Sequence, residues 1–371
     1  MKYVQINSFY NGSTGTLMRG LHNELTEQGV DSYIFWGRRH ETINDHEQCC
    51  ASKLSVYHHG IMTRLFDRMG FYSKGDTKRL LEKLDAIDPD VVHLHNIHGY
   101  YINIEMLFEW LAAHHCQVKW TLHDCWAFTG HCAHFSYEGC EQWLTHCAID
   151  GDCRLLDTYP KTISKRSCYK NFDDKKRIFT SIDPSRMTII TPSHWLADLV
   201  HQGFLSCYEV EVQHNKIDMD TFKPTPSGFK EKYGVGDRYM ILGVASPWSE
   251  KKGLATFCEL AKELDPSLFA IVLVGLTPHQ AKDIPDEIIW LERTDSKRAL
   301  AEIYTAADLF FNPTVEDNFP TVNLEAEACG TPVLTFDTGG CRETVKRPDS
   351  VVVKCEDWNS ALISERLAVQ S

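Results

Sequence analysis

The sequence has no run of 18 consecutive apolar residues, so it offers no helix long enough to cross a bilayer. Its start, MKYVQINSFYNG, carries one lysine and no long apolar core ahead of a small-residue cleavage site. It reads as a first strand and not as a signal peptide. Positive charge is also short: 38 Lys and Arg against 51 Asp and Glu leave a net charge of −13. That balance argues against nucleic acid as a partner, which needs a basic footprint, but leaves room for a local basic patch at a diphosphate or a membrane surface. Internal repeats and low-complexity tracts are missing. So are CxxC knuckles, and so is a DxD-type pair at a strand end to hold Mg²⁺ against a diphosphate. Fourteen cysteines with no secretion signal point to a reducing compartment and a cytoplasmic location. The sequon Asn11-Gly12-Ser13 then reads as a chance match.

What is present fits a soluble α/β protein. A chain of 371 residues exceeds one ordinary core and suits two domains. Hydrophobic residues at 43% and charged residues at 24% are ordinary for a globular chain. Apolar, β-rich runs alternate with helical stretches: YVQINSF, SYIFWG, DVVHLHN, VKWTLHD and MTIITPS in the first half, then YMILGVA, FAIVLVG, DLFFNPT and PVLTFD in the second. Helical patterns cover Leu17–Gln28, Gly253–Leu264 and Ser296–Ala307. This alternation predicts parallel strands with crossover helices, in two series. The join falls near HNKIDMDTFKP (His214–Pro224), which divides the chain into residues 1–214 and 215–371. Cys125–Asp174 breaks the pattern, being polar and cysteine-bearing with little periodicity. A loop that long is functional or stapled by a metal.

In the second half, DLFFNPT predicts a buried strand and TVNLEAEAC a helix. Pro320 suits the first helical position, Asn318 the cap and Gly330 the end. A helix that starts at the carboxyl end of a strand offers free N–H groups and a positive dipole end to a diphosphate. Glu325, between one and two turns in, can reach back to accept hydrogen bonds from ribose hydroxyls. Glu316 and Asp317, in the loop before it, can hold sugar hydroxyls.

The run ED-N-FP-x-V-x-L-EA-x-ACGTPV-x-x-F-D-x-GG-x-x-E resembles the signature of retaining family 4 glycosyltransferases. The fold this implies is GT-B, two Rossmann-like domains facing across a cleft. The resemblance makes residues 1–214 the acceptor side and residues 215–371 the nucleotide-sugar side. In that family two acids, usually eight apart, flank the donor sugar and ribose. Asp317 has that spacing to Glu325, while Glu316 is nine away, so the first role is shared between them. Asn318, Phe319, Pro320, Thr321 and Val322 would complete the donor site. Lys252-Gly253 matches the family's lysine-glycine step, which sets Lys252 against the diphosphate. The family's arginine falls at Pro247, and Lys251, or the hydroxyls of Ser246 and Ser249, would take its place.

On the acceptor side, Gly12 and Gly15 in NGSTG would form a loop approaching donor or acceptor. His93, His95 and His98 lie on or just after a strand end and read as structural hydrogen-bonders. His123 stands where the family commonly places a histidine near the donor sugar, suited to steering an acceptor hydroxyl. Asp124 would orient its ring or contact the acceptor. The segment WTLHDCWAFTGHCAHFSYEGCEQWLTHC resembles a subset of family 4 enzymes of exopolysaccharide and O-antigen assembly, including the colanic-acid type. Cys132, Cys140, Cys147 and Cys153, with His131 and His134 as further candidates, either hold a structural zinc or remain free or disulfide-linked thiols.

The implied reaction moves a sugar from a UDP- or GDP-sugar to a hydroxyl of a lipid-linked oligosaccharide, with retention. It needs no cofactor for catalysis and brings peripheral contact with the inner face of a bacterial membrane. The alternatives are a non-catalytic nucleotide-sugar-binding or scaffold subunit, and a UDP-sugar epimerase-like enzyme. The 26 residues after Val345 leave only a short stretch for the long closing helix of the family, so that crossover is expected to be short or missing.

Overall fold

The computed structural model of the chain describes residues 1–149 and 151–364. It divides into two compact units, Met1–His214 and Asn215–Ser371. The end of the C-terminal segment expected to form a crossover, residues 365–371, lies outside the described residues.

The first unit is built on a parallel sheet of seven strands: β1 (Lys2–Phe9), β2 (Asp31–Arg38), β3 (Glu47–Cys49), β4 (Val91–Leu94), β5 (Gln117–Thr121), β6 (Met187–Thr191) and β7 (Glu209–Val212). Their spatial order is β3-β2-β1-β4-β5-β6-β7. The helices between them are α1 (Ser13–Glu27), α2 (Lys53–Phe66), α3 (Lys74–Ile87), α4 (Ile104–Ala113), α5 (Ser167–Phe179) and α6 (His194–Gln202). β1 is buried along nearly its whole length, as a strand covered on both faces must be. Its apolar residues Tyr3, Val4, Ile6 and Phe9 are interrupted by the buried polar residues Gln5, Asn7 and Ser8.

The second unit repeats the plan with β8 (Tyr239–Val244), β9 (Phe269–Val274), β10 (Ile289–Leu291), β11 (Leu309–Asn312), β12 (Val333–Phe336) and β13 (Val351–Val353), ordered β10-β9-β8-β11-β12-β13 and parallel throughout. Its helices are α7 (Phe229–Lys232), α8 (Leu254–Glu263), α9 (Lys297–Ala306) and α10 (Thr321–Ala328). Both units are therefore doubly wound. The chain runs outward from a central strand, returns, and runs the other way. The crevice where the direction reverses lies at the carboxyl ends of β1 and β4 in one unit, and of β8 and β11 in the other. Ligands of such sheets bind there.

The cysteine-bearing segment, expected as a long loop that is functional or stapled by a metal, packs into the core of the first unit. α5 begins at Ser167, inside the expected loop, and Trp126, Phe128, Phe135, Trp143 and Leu155 are buried in the main core of the first unit. Aromatic burial, worth about 1.5–3 kcal/mol per large side chain, does the bracing. Lys175 adds to it from below. Its fully buried Nζ donates to the carbonyls of Trp126 (2.7 Å) and Thr129 (3.0 Å) and lies 3.6 Å from the centre of the Trp126 ring. Burial draws its pKa down to about 7.

Candidate functional site

In the second unit, two loops meet at the reversal crevice. One follows β8 and carries Lys251 and Lys252; the other follows β11 and carries Glu316 and Asp317. Gly253 joins them, because its φ of +75° and its contact with Pro313 leave no room for a side chain: a Cβ there would stand 2.5 Å from the Pro313 carbonyl oxygen. The Lys251 carbonyl then accepts from the N–H of Val315 (3.0 Å) and the hydroxyl of Thr314 (3.1 Å). From the other side the Gly339-Gly340 turn supports the acidic loop. Gly339, at φ +54°, would put a Cβ 1.9 Å from the Asp317 carbonyl oxygen, and Gly340 N–H donates to that oxygen at 3.1 Å. The glycines of TPVLTFDTGG thus shape the acidic loop directly.

The four charged side chains are paired in register. Lys251 Nζ meets Glu316 Oε2, and Lys252 Nζ meets Asp317 Oδ2 at 2.5 Å. The two acids differ in access: the Glu316 side chain is 2% exposed and that of Asp317 is 19%. Glu316 is thus held inward against Lys251, while Asp317 keeps a face toward solvent. Ser246 and Ser249, the other substitutes for the arginine, are exposed on the same loop.

α10 starts one residue later than expected. Pro320 takes the cap position with no side-chain cap hydrogen bond, and Asn318 lies two residues before it. A proline cap contributes no side-chain acceptor, so the first-turn N–H groups at Thr321 and Val322 have no side-chain cap, as an anion site requires. Phe319 is buried, and its N–H donates to Asp317 Oδ1 at 3.3 Å. Glu325 accepts from the hydroxyl of the buried Tyr304 at 3.1 Å. Burial lifts its pKa to about 7, against the lowering effects of Tyr304 and Lys297. Sequence reasoning missed Tyr304, which lies 21 residues upstream on α9, and the buried Asn323, which bridges Asn312 and Thr344. The acidic signature carries no signal for either.

In the first unit's crevice the polarity is carried by a line of histidines, with His93 and His95 buried. His93 bonds to the hydroxyls of Tyr3 (2.9 Å) and Thr121 (2.7 Å). His95 bonds to Gln5 Oε1 (3.1 Å) and to His123 (3.3 Å). The rings stack in line, His93 on His95 at 4.4 Å and His95 on His123 at 5.6 Å between centres. Burial pushes all three pKa values down, to about 3 for His93 and about 4 for His123, so these imidazoles are neutral near pH 7. Asp124 pairs with His98. Its Oδ2 lies 2.9 Å from His98 Nε2 and its Oδ1 accepts from Trp126 N–H at 2.9 Å. Burial would raise its pKa, but the His98 charge and hydrogen bond, helped by His134 and the Trp126 N–H, hold it well below the usual carboxylate range.

The backbone holds the carboxylate there: the turn Trp126–Phe128 begins two residues after Asp124, and its first N–H donates to Asp124 Oδ1. Gly12 caps α1 at φ +86° and is exposed. Gly15 has a local reason to be glycine, since a Cβ there would lie 2.3 Å from the Tyr10 carbonyl oxygen.

Cys132, Cys140, Cys147 and Cys153 are free thiols of one segment. A fifth, Cys168 at the start of α5, lies with Cys147 beside Gly130 and was missed because it lies beyond the spacing of the other four. Among the described residues, no three of these thiols bring their sulfurs within 4.8 Å of one another, so the set is not preformed around an ion.

Residues 229–367 match the family described as glycosyl transferases group 1. Over 96% of its length the chain is 23% identical to WcaC of Escherichia coli (strain K12), a candidate colanic acid biosynthesis glycosyl transferase, and the match covers 88% of that protein. The structure resembles sucrose-phosphate synthase from Thermosynechococcus elongatus, with TM-score 0.69, 14% identity, and cover of 100% of this chain and 89% of that one. It also resembles Anabaena HepE in complex with UDP-glucose, with TM-score 0.64, 13% identity, and cover of 100% and 90%. At such identities the structural likeness shows the fold, two Rossmann-like domains of the GT-B type.

Proposed function

We propose that this chain, whose second unit carries a group 1 glycosyltransferase domain, transfers a sugar from a nucleoside diphosphate to a hydroxyl acceptor with retention, in the assembly of a surface polysaccharide. The observation that carries the reading is the double lysine–carboxylate pair at the β8/β11 crevice, beside a helix start with no side-chain cap. Two cations held against two acids at a helix N-terminus form a site that an incoming diphosphate can reorganise. Its phosphates take Lys252, and Lys251 behind it, and receive the first N–H groups of α10 at Thr321 and Val322. Asp317, released from Lys252 and the more accessible acid, turns to the donor sugar. Glu325 accepts from the ribose hydroxyls. As the bond to the leaving phosphate breaks, negative charge grows on the diphosphate, where the helix start and the lysines stabilise it.

The acceptor is assigned to the first unit, at the neutral histidine line. A neutral His123 can hydrogen-bond a sugar hydroxyl without carrying charge to it. The likeness to WcaC, named for colanic acid biosynthesis, supports a polysaccharide acceptor; its lipid linkage and work at the inner face of the bacterial membrane are part of the proposal. HepE, seen with UDP-glucose, supports a UDP-sugar donor. The test is a panel of UDP- and GDP-sugars with lipid-extract acceptors, run on the wild type and on Lys252→Ala. Transfer that falls at least about tenfold in the variant supports the reading. Donor binding with neither transfer nor slow hydrolysis, for every donor, favours the scaffold alternative.

A further inference from the structure

The first unit holds a cavity of about 970 Å³ that the reaction described above does not use. It opens at the carboxyl ends of β2 and β3, the edge where ligands of parallel sheets bind. Four cations line it, Arg38, Arg39, Lys53 and Arg64, against the single carboxylate of Glu41. In a chain of net charge −13 this is a local reversal of sign. The cations are largely uncommitted. Arg38 is fixed by the Gly99 carbonyl at 3.1 Å and by the rings of Phe9 and Tyr100, none of which neutralises it. Among the described residues Arg39 and Arg64 pair with no carboxylate, and Lys53 reaches Glu41 only at 3.7 Å with both side chains almost fully exposed, a pair that solvent screens.

α2, which carries Lys53 and Arg64, forms a wall of the cavity and also leaves an apolar stripe in water. Leu54 is 83% exposed, Tyr57 71%, Ile61 42% and Leu65 43%, at the i, i+3, i+7, i+11 spacing of one helix face. Phe66 continues it. Single exposed hydrophobes are ordinary, but a contiguous row beside a basic cavity is not. Tyr57 and Ile61 belong to both the stripe and the cavity lining, so one molecule can touch cations and stripe together. From Leu54 to Leu65 the row runs about 16 Å along the helix.

We infer that this cavity and the α2 stripe bind the phosphate-bearing head and the adjoining hydrocarbon of a long-chain lipid phosphate. The guanidinium groups of Arg39 and Arg64 supply charge-assisted hydrogen bonds to phosphate oxygens, and Tyr57, Ile61 and Leu65 cover the chain. Charge complementarity selects the head and the stripe selects the tail, which a free phosphate lacks. As the seat of the acceptor's lipid carrier, the site rests on the glycosyltransferase reading; as a lipid-phosphate site it does not.

The test uses the full chain and dodecyl phosphate below its micelle concentration, titrated by calorimetry against inorganic phosphate. Wild type is expected to bind dodecyl phosphate at least about tenfold more tightly than inorganic phosphate. Arg39→Ala/Arg64→Ala, both exposed positions, should weaken dodecyl phosphate about tenfold or more. Tyr57→Ser/Leu65→Ser should bring it down to the level of inorganic phosphate, with circular dichroism confirming an intact fold in each. Equal affinity for the two ligands, no binding of dodecyl phosphate, or indifference to both variants would overturn the inference. UDP-glucose affinity of the same preparations reports the donor site separately, so the two readings can fail independently.

Discussion

The two reversal crevices differ in how they store polarity. In the second unit it is stored as charge: two lysines and two carboxylates pair across loops that glycines hold together. In the first it is stored as a row of imidazoles that burial keeps neutral. One plan of sheet and helices supports both. The difference suits what each is proposed to meet, since a diphosphate needs countercharge and a sugar hydroxyl needs neutral hydrogen-bonding groups. It also sets where pH acts. Histidines with pKa values near 3 and 4 keep one charge state from pH 6 to 8, whereas Glu325, near 7, changes state within that range.

The largest expected effect breaks the charged side. Glu325→Ala removes the acceptor assigned to ribose and should weaken UDP-glucose binding about 10- to 100-fold, measured by calorimetry. An unchanged affinity would refute the ribose role. A middle-sized effect should come from the neutral side. His123→Ala is expected to lower kcat about five- to tenfold, the worth of one neutral hydrogen bond, and to leave UDP-glucose affinity unchanged. A loss of donor affinity instead would mean that the two crevices are not divided as described.

The smallest effect concerns Glu325 and pH. Its folded pKa, about 7, stands above the ordinary carboxyl value of 4.5. The folded state therefore favours the protonated acid. The stability this contributes is complete below pH 4.5 and is lost as pH rises through 7. Glu325→Gln should accordingly raise the melting temperature by about 2–4 °C at pH 8 and leave it unchanged at pH 4.5, as followed by thermal unfolding. Ribose hydroxyls donating to the carboxylate favour its ionised form, so donor binding at pH 7 should release protons. Calorimetry in two buffers of different ionisation enthalpy would show it; proton uptake would contradict the assignment.

The β-rich runs of β8, β9 and β11 were legible because a parallel strand covered on both faces is apolar along most of its length. The edge strands β3 and β10 escaped notice. Each has three residues and is partly exposed, a stretch too short to set a period even where it is apolar, as in the IWL of β10. The loop after β11 was readable because its acids, its proline and the following glycines lie close together in sequence. The partner of Asp124 was not, since His98 lies 26 residues away. Nor was the packing of the cysteine-bearing segment, whose buried aromatics follow no helical or strand period.

By itself, then, the sequence determined the alternation of strands and helices, the division near His214 and the acidic helix start, because these depend on local periodicity and adjacent residues. Tertiary structure alone decided that Lys251 takes Glu316 and Lys252 takes Asp317, that Glu325 leans on Tyr304, and that His123 lines up with His95. Those pairings join residues some 20 to 65 positions apart. Such contacts form only when strands that are distant in sequence lie side by side, and burial, which no single residue type encodes, then sets their charge.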